Sequence, residues 1–430
     1  MGVIYQPRAT PWERSISAQG NALVREIMET AKTIYLDNNA TTRAATEVYE
    51  AMIPWFTEEY FNPSSMYEPA RKIGIALADA RKCVADCLGG VDPKEIIFTG
   101  CATESNNAAI FGVARGNPDR RHIITTTVEH PAVLEVCREL EREGYRVTWL
   151  NVDRDGNLNI REFIQALSPA TLLVSIMHAN NETGVVFPID QLSRITKQTD
   201  PSIVFHTDAT QTVGKLPIDL VSGLPYVDML SFSGHKLHAP KGVGALFLRR
   251  GTRCRPYLFG GHQAEGRRAG TENVPYIIGI SKALSLAMDR MEEDEARIGR
   301  MRDRLEKSLI EKIPSSQVNG KGAARLPNTL NISFHYIEGE GMLFQLSSLG
   351  ICASSGSACT SGSLEPSHVL RAMKVPFTAI HGSLRFSLSR YNTDEEIDYV
   401  LEALPAVVAN LRKLSPYWDN VNNAPRNVGA

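Results

Sequence analysis

The order of hydrophobic and polar positions divides the chain into two parts with different patterns. Between about residue 33 and residue 275, short apolar runs alternate with stretches of helical periodicity. The runs lie at 95–99, 122–126, 145–150, 171–177, 203–206, 228–232 and 244–248. Because they are apolar on both faces, they favour a mostly parallel, seven-stranded sheet covered by helices. The alternation predicts an α/β domain built from right-handed crossovers.

The second pattern starts near residue 283. Apolar residues there recur at steps of seven, three and four, and so line one face of a long helix that Pro314 ends. They are Met291, Ile298, Met301, Leu305, Leu309 and Ile313. Strands near 329–334 and 384–387 and a helix over 394–411 then predict a smaller α+β domain.

These two patterns predict an N-terminal extension and two domains. Residues 1–43 form an N-terminal extension and a segment that joins the small domain, residues 44–290 form the large domain, and residues 291–430 form the small domain. The polar residues 415–430, with Pro, Asn and Gly among them, are expected to be a poorly ordered tail. Residues 21–32 are compatible with a short amphipathic helix, either a docking element or part of an alternative start.

Composition narrows the class of protein. The 430 residues are 43% hydrophobic and 22% charged, with a formal net charge of −2, so the chain offers no basic field for nucleic acid. We expect a small-molecule substrate, no membrane span and, because no secretory signal precedes the first strand, a cytoplasmic location. Seven cysteines without a C-x-x-C pair favour reduced thiols over disulfides or a zinc site.

The first candidate for chemistry is Lys236, at the end of the run DMLSFSGHK. A lysine with its usual pKa of about 10.4 is a poor nucleophile, and a Schiff base with a carbonyl cofactor removes that problem. The edge of an α/β sheet, where this run ends, is where such folds bind ligands. The alternatives are an ordinary solvated lysine, or Lys241 in the following Pro-Gly turn as the reactive one.

A second strand end carries Asp208 and Gln211 in IVFHTDATQ. A buried carboxylate beside a pyridine nitrogen would keep that nitrogen protonated and the ring an effective electron sink. The alternative is that Asp208 only caps the next helix.

Two further strand ends are polar. In FTGCATESNN, free N–H groups at a helix start with the hydroxyls of Thr103 and Ser105 suit a phosphate. The alternative is a plain capping box with Thr103 as the cap and Asn106 nearby, which does not exclude a phosphate site. In TVEH, His130 could stack on an aromatic cofactor and shuttle protons, or be purely structural.

The run ASSGSACTSGSLEP places Cys359 in small residues typical of a mobile loop. An accessible thiol there could act as a nucleophile, with a neighbouring base or cation to favour the thiolate. Among the other cysteines, Cys101 adjoins the predicted phosphate site.

Together these motifs resemble the class V aminotransferase group of pyridoxal-phosphate enzymes, and within it the cysteine desulfurases. The motifs YLDNNATT, GCATESN, HANNETG, HTDATQ, SFSGHK, GGHQAEGRRAGTEN and SSGSACTSGSLEPSHVL follow in order and cover residues 33–412. SFSGHK with ACTSG is the most specific pair. The last motif and LSPYW look most like the nitrogen-fixation type, which supplies sulfur for nitrogenase metal clusters.

The resemblance implies a fold type I enzyme, a homodimer and residue roles in this numbering. Lys236 would hold pyridoxal 5'-phosphate covalently, with Asp208 at the ring nitrogen, Gln211 at the ring hydroxyl and His130 stacked on the ring. The phosphate would contact Ala102, Thr103, Ser233 and His235, with Thr271 reaching the site of the other subunit. Asn181 and Arg385 would orient the substrate carboxylate.

The implied reaction converts L-cysteine to L-alanine. Lys236 removes the α-proton, the thiolate of Cys359 attacks the substrate sulfur, and a persulfide remains on Cys359. An iron–sulfur scaffold protein would accept that sulfur. No metal site is expected, except that Cys359 could transiently ligate an iron–sulfur cluster. The alternatives are a housekeeping or tRNA-thiolation desulfurase, a selenocysteine lyase or an aminotransferase, and a non-enzymatic scaffold or sulfur carrier.

Overall fold

The structure is a computed structural model that describes residues 33–355, 365–419, 422 and 424–426. The predicted helix at 21–32 and the predicted nucleophile Cys359 lie outside the described residues.

The predicted sheet is present and has seven strands in the order β2-β8-β7-β6-β5-β3-β4. The strands are β2 (Ile96–Thr99), β3 (His122–Thr126), β4 (Arg146–Leu150), β5 (Thr171–Ser175), β6 (Val204–Asp208), β7 (Met229–Ser233) and β8 (Gly244–Leu248). Strand β8 is antiparallel to β2 and β7, and the other neighbours are parallel. The mostly parallel α/β sheet is therefore confirmed.

Helices pack around this sheet, and the longer ones bury an apolar face in its core. They are α1 (Thr46–Met52), α2 (Pro54–Thr57), α3 (Glu68–Cys87), α4 (Ala102–Gly116), α5 (Pro131–Arg142), α6 (Ile160–Ala166) and α7 (Ile189–Thr199). Helix α5, for example, buries Val133, Val136 and Leu140 at steps of three and four.

The long predicted helix is α8 (Val274–Lys312). The Asn273 side chain accepts from the Tyr276 N–H at its start, and Pro314 follows its end. Its first half packs in the core of the seven-stranded sheet, whereas Met301 and Leu305 belong to the second core. The helix is continuous across the predicted boundary at residue 290, so the division of the chain into domains stays a prediction. Within the described ranges, none of the helices combines the length and the apolar character needed to cross a bilayer.

The second core is built on small sheets. Strands β9 (Ser316–Val318), β10 (Thr329–Phe334) and β12 (Ser383–Ser387) pair antiparallel in the order β12-β10-β9, and β1 (Ile34–Tyr35) pairs parallel with β11 (Ile351–Cys352). Helices α9 (Gly339–Ser348) and α12 (Asp394–Leu414) pack in this core, whereas α10 (His368–Ala372) and α11 (Phe377–Ile380) bury Val369, Leu370 and Ile380 in the core of the large sheet. This confirms the smaller α+β region.

The segment after β1 joins the two cores. Asp37 bridges to Ser387 of β12, and five residues later the Thr42 N–H donates to the carbonyl of His235, 2.9 Å away. Residues 38–41 are therefore held across the edge of the large sheet.

The prediction of a poorly ordered tail was wrong for its described part. Strands β13 (Trp418–Asp419) and β14 (Ala424–Pro425) pair antiparallel. The Trp418 side chain is 1% exposed, and the guanidinium of Arg412 lies 4.1 Å from its ring centroid. Burial of one large aromatic side chain, with a cation over its face, outweighs the polar composition around it.

Candidate active site

A cavity of about 370 Å³ lies where the segment 38–41 crosses the carboxyl ends of the parallel strands. It is lined by Asn39, Ala40, Cys101, Ala102, Thr103, Asn106, His130, Ala132, Met177, Ala179, Asn181, Asp208, Thr210, Gln211, Ser233, His235, Lys236 and Arg385. Ten residues predicted from the sequence therefore line one space. They are Ala102, Thr103, His130, Asn181, Asp208, Gln211, Ser233, His235, Lys236 and Arg385.

A short turn holds Lys236 at the carboxyl end of β7. Residues Gly234–Lys236 form one 3₁₀ turn directly after the strand, and the ammonium donates to the carbonyls of Asn39 at 2.6 Å and Ala40 at 2.8 Å. The competing candidate, Lys241, is exposed and is not among the residues that line the cavity. The turn after β7 therefore places Lys236, and not Lys241, in the cavity.

Asp208 ends β6 with its carboxylate fixed on both oxygens. Oδ2 accepts from the Asn106 amide at 2.6 Å, and Oδ1 accepts from the Thr210 N–H at 2.9 Å. Turns rather than an α-helix follow, so the interpretation of Asp208 as a helix cap was wrong. Its neighbour His206 is a buried structural residue between Ser175 and Ser231, and burial lowers its pKa to about 4.

His130 is the N-cap of α5, and its ring lines the cavity. Its Nδ1 accepts from the Ala132 N–H at 3.1 Å, which assigns the proton of the neutral ring to Nε2. Burial lowers the pKa of His130, against the opposing charge of Asp208. A neutral imidazole at this position suits contact with an aromatic ring. The structural and functional interpretations of His130 are therefore compatible.

One end of the cavity is suited to an anion. Helix α4 begins at Ala102 with Cys101 as its N-cap, so the N–H groups of its first turn face the space after β2. Because Cys101 is the cap, the plain capping box on Thr103 was wrong. The buried Ser233 hydroxyl finds no hydrogen-bond partner within the described part of the chain.

His235 completes this end. Its Nδ1 lies 3.1 Å from the Thr41 hydroxyl, and burial, with the charge of Lys236, lowers its pKa to about 4. The ring is therefore neutral at pH 7 and available as a hydrogen-bonding group rather than as a charge.

The same cavity also contains a guanidinium. Arg385, on β12 and 2% exposed, donates from Nη1 to the Asn181 carbonyl at 3.1 Å and from Nη2 to Asp37 at 2.5 Å. Its Nε has no partner among the described residues. A fixed guanidinium fork is the group that best matches a planar carboxylate.

Two predicted residues of the described part of the chain do not line this cavity. The prediction that the Ser105 hydroxyl contacts a phosphate was wrong, because that buried hydroxyl lies 2.8 Å from the Thr99 hydroxyl instead. Thr271 is the other. It lies in a separate depression with Gly100 and Gly242. Its predicted contact with the site of a second subunit stays a prediction.

Several lining residues were not predicted. Asn106 follows Thr103 by three positions, so the period of α4 could have placed it on the same face. Glu129 lies behind the cavity wall, where its Oε1 accepts from the Thr126 hydroxyl at 3.0 Å and the Met177 N–H at 2.9 Å. Burial raises the pKa of Glu129 to about 8. No sequence pattern marks such an acid in advance.

The fold and cavity define an α/β enzyme with a lysine, a buried aspartate and an anion site at one sheet edge, and its family follows from comparison with known sequences. The profile described as aminotransferase class V matches residues 34–400, so the chain belongs to that family. The predicted resemblance and the fold type I architecture are thereby confirmed.

Within the family, two similar proteins are named cysteine desulfurases. A cysteine desulfurase of Trichormus azollae is 55% identical over 384 residues, which cover 89% of this chain and 95% of the relative. The cysteine desulfurase NifS of Azotobacter vinelandii is 53% identical over 385 residues, 90% of this chain and 95% of that protein. A solved structure named NifS-like protein has a TM-score of 0.83 and 38% identity, and covers 88% of this chain and 100% of that one.

Enzymes of this family use pyridoxal 5'-phosphate, and the residues present fit it. The unpartnered Ser233 hydroxyl and the first turn of α4 suit the phosphate, and the fixed Asp208 carboxylate suits a protonated ring nitrogen. Lys236 lines the same cavity and is placed to hold the cofactor.

Proposed function

We propose that this chain is a cysteine desulfurase that converts L-cysteine to L-alanine, holds pyridoxal 5'-phosphate through Lys236 and receives the sulfur on Cys359. The observation that carries the proposal is one cavity in which Lys236 and Asp208 lie with the guanidinium of Arg385. The first two suit the cofactor, and the third suits the carboxylate of an amino acid.

Two residues of the cavity orient the reactants. Arg385, held by Asp37 and Asn181, binds the carboxylate of L-cysteine as a fork. Asp208 keeps a proton at the ring nitrogen of the cofactor, because its own carboxylate is fixed by two donors. When bound, pyridoxal phosphate supplies an electron sink for the negative charge that develops at the substrate α-carbon.

Lys236 moves the proton. With the cofactor and the substrate bound, its amine would remove the α-proton and return a proton to the product carbon. The carbonyls of Asn39 and Ala40, 2.6 and 2.8 Å from Nζ, hold the ammonium form between these steps.

The sulfur transfer balances without an external oxidant. The Cys359 thiolate attacks the substrate sulfur, an S–S bond forms and the C–S bond breaks. The substrate carbon keeps the electron pair and gains a proton, which yields alanine and a persulfide on Cys359. This role rests on the resemblance of ACTSG to the family motif and on the names of the relatives.

The proposal includes a homodimer and a sulfur acceptor. Thr271 lies outside the cavity of its own chain, and exposed apolar side chains such as Met66 and Phe259 suit a covered face. An iron–sulfur scaffold protein is the proposed acceptor, and the relative NifS supports a nitrogen-fixation role. The six described cysteines are free thiols, which supports a reducing cytoplasm.

The test is alanine formation by the protein reconstituted with pyridoxal phosphate. With L-cysteine and a thiol reductant, the wild-type protein is expected to release alanine and sulfide in equal amounts. Lys236→Ala and Cys359→Ser are expected to remove this activity, whereas the matched control Lys241→Ala keeps it. Keto-acid formation, or full activity of Cys359→Ser, would contradict the proposal; preference for selenocysteine would assign a lyase.

A further inference from the structure

The stretch of chain that carries Cys359 is fixed at both ends by described residues. The first anchor is Ser354, whose N–H donates to the Arg385 carbonyl at 3.2 Å and whose carbonyl accepts from the Arg385 N–H at 2.6 Å. The second anchor is Ser367, the N-cap of α10. Cys359 is the fifth residue after the first anchor and the eighth before the second. Even an extended chain therefore keeps it within about 17 Å of Ser354 and about 27 Å of Ser367.

A buried carboxylate holds the second anchor. The hydroxyl oxygen of Ser367 accepts from the Val369 and Leu370 N–H groups at 3.1 and 3.2 Å. The same hydroxyl donates its proton to Oε2 of Glu182 at 2.5 Å, and both side chains are buried. A helix cap needs only the serine oxygen, whereas a buried hydroxyl proton needs an acceptor of its own. Glu182 supplies that acceptor.

Glu182 connects this anchor to the part of the cavity that we assign to the substrate carboxylate. It directly follows Asn181, which lines the cavity and whose carbonyl accepts from Nη1 of Arg385 at 3.1 Å. Burial raises the pKa of Glu182 to about 7, whereas the Ser367 hydroxyl and the positive charge of Arg385 act in the opposite direction. The two anchors therefore meet one pair of cavity residues, because the first binds the backbone of Arg385 and the second binds the residue after Asn181.

Helix α10 has a fixed position beside the same cavity. Nε2 of His368 donates to the carbonyl of Glu129, the residue before His130 of the cavity wall. Val369 and Leu370 are buried in the core of the seven-stranded sheet. The hydrogen bond between Ser367 and Glu182 thus fixes the point at which the chain enters a helix that is already held in place.

We propose that Glu182 is a positioning residue for sulfur transfer. By holding Ser367, it fixes one end of the stretch that carries Cys359, so the thiolate meets the substrate sulfur at a higher effective concentration. Glu182 is not among the residues that line the cavity, and it therefore acts on this step without touching the cofactor or the substrate. The inference rests on the proposed function, since it concerns the transfer of sulfur to Cys359.

The first measurement needs neither cofactor nor activity. Hydrogen exchange of the backbone amides is followed by mass spectrometry in the peptide that contains α10. Glu182→Met keeps a side chain of similar length without an acceptor, and the Val369 and Leu370 amides are expected to exchange about tenfold faster, because the cap of α10 loses a buried hydrogen bond. Glu182→Gln keeps an acceptor oxygen and is expected to exchange like the wild type.

The second measurement separates sulfur transfer from the steps before it. In a single turnover of the reconstituted protein with L-cysteine, the rate of persulfide formation on Cys359 is expected to fall about tenfold in Glu182→Met and to recover in Glu182→Gln. Exchange of the α-proton of L-alanine in deuterium oxide, followed by NMR, requires the cofactor and Lys236 but no thiol. Its rate is expected to stay unchanged in both variants.

Glu95→Met is the matched control. Glu95 is also buried, and its Oε1 accepts from the Arg250 N–H at 2.7 Å, but it does not line the cavity. Its replacement removes a buried carboxylate of the same kind and is expected to leave hydrogen exchange in α10, persulfide formation and α-proton exchange unchanged.

The outcomes separate this inference from the proposed function. Unchanged hydrogen exchange in α10, an unchanged rate of persulfide formation, or an equal fall in persulfide formation and α-proton exchange in Glu182→Met overturns the positioning role. Faster hydrogen exchange in Glu182→Met beside a wild-type protein that forms no persulfide contradicts the proposed function alone. Ser367→Gly breaks the same contact but keeps a favourable cap residue, and provides the same test if Glu182→Met does not fold.

Discussion

Replacing Glu129 by glutamine tests how the wall behind the active site is held. The Glu129 side chain is fully buried, and its Oε1 ties the end of β3 to the Met177 N–H after β5. Burial raises its pKa from 4.5 to about 8, so the folded protein holds the neutral acid at pH 7. Glutamine keeps the carbonyl acceptor but cannot ionise, so the variant isolates the charge.

The sign and the size follow from the two pKa values. Because the pKa of Glu129 is higher in the folded state, its contribution to stability is complete below about pH 4.5 and is lost as the pH rises toward 8. Above that pH both states are ionised and the loss stops. Between pH 5 and pH 8 the loss amounts to about 3 kcal/mol, at 1.36 kcal/mol for each pH unit of difference in pKa.

The assay is urea unfolding of the reconstituted protein at constant ionic strength between pH 5 and pH 9. The free energy of unfolding of Glu129→Gln minus that of the wild type is expected to grow by about 3 kcal/mol up to pH 8 and then to level off. The exposed carboxylate variant Glu292→Gln controls for the general effect of charge removal and is expected to show no such trend. A difference that does not depend on pH would refute the assignment of a neutral Glu129.

Three other changes test separate parts of the account. Arg385→Lys keeps the charge but loses the fork, so the KM for L-cysteine is expected to rise about tenfold or more in steady-state alanine assays; an unchanged KM would remove Arg385 from substrate binding. Asp208→Asn is expected to lower kcat about 100-fold and to change the absorption spectrum of the bound cofactor, because the ring nitrogen loses its protonating partner; a wild-type spectrum and rate would refute that role. Trp418→Ala removes a buried ring and is expected to cost about 3–5 kcal/mol in urea unfolding, with kcat unchanged; a loss below about 1 kcal/mol would mean that the tail packs only loosely.

The sequence could predict those residues of the candidate site that lie at the ends of strands. Asp208 and Ser233 are the last residues of buried strands, and Lys236 follows three residues after one. Parallel strands bring such ends to one edge, so the residues converge without knowledge of any tertiary contact. The family motifs then assigned their roles.

What the sequence did not predict depends on the rotation and packing of whole elements. The Asn106 amide reaches Asp208 only because α4 packs across the sheet, and Lys215 reaches Gln211 only through the path of the turns after β6. Trp418 showed the same limit, because polar neighbours concealed a side chain that is buried against Tyr336 and Arg412. The composition of a segment predicts only the average exposure of its residues, whereas the burial of a single large aromatic ring can fix the position of a chain end.

The most direct test of the central proposal is a single turnover with the reconstituted protein and less L-cysteine than enzyme, without reductant. The quenched protein is digested, and mass spectrometry follows the peptide that contains Cys359 while amino-acid analysis measures alanine. One alanine is expected for each Cys359 peptide that gains the mass of one sulfur atom, and neither product is expected in Lys236→Ala. Alanine without a persulfide on Cys359, or a persulfide on another cysteine such as Cys101, would contradict it.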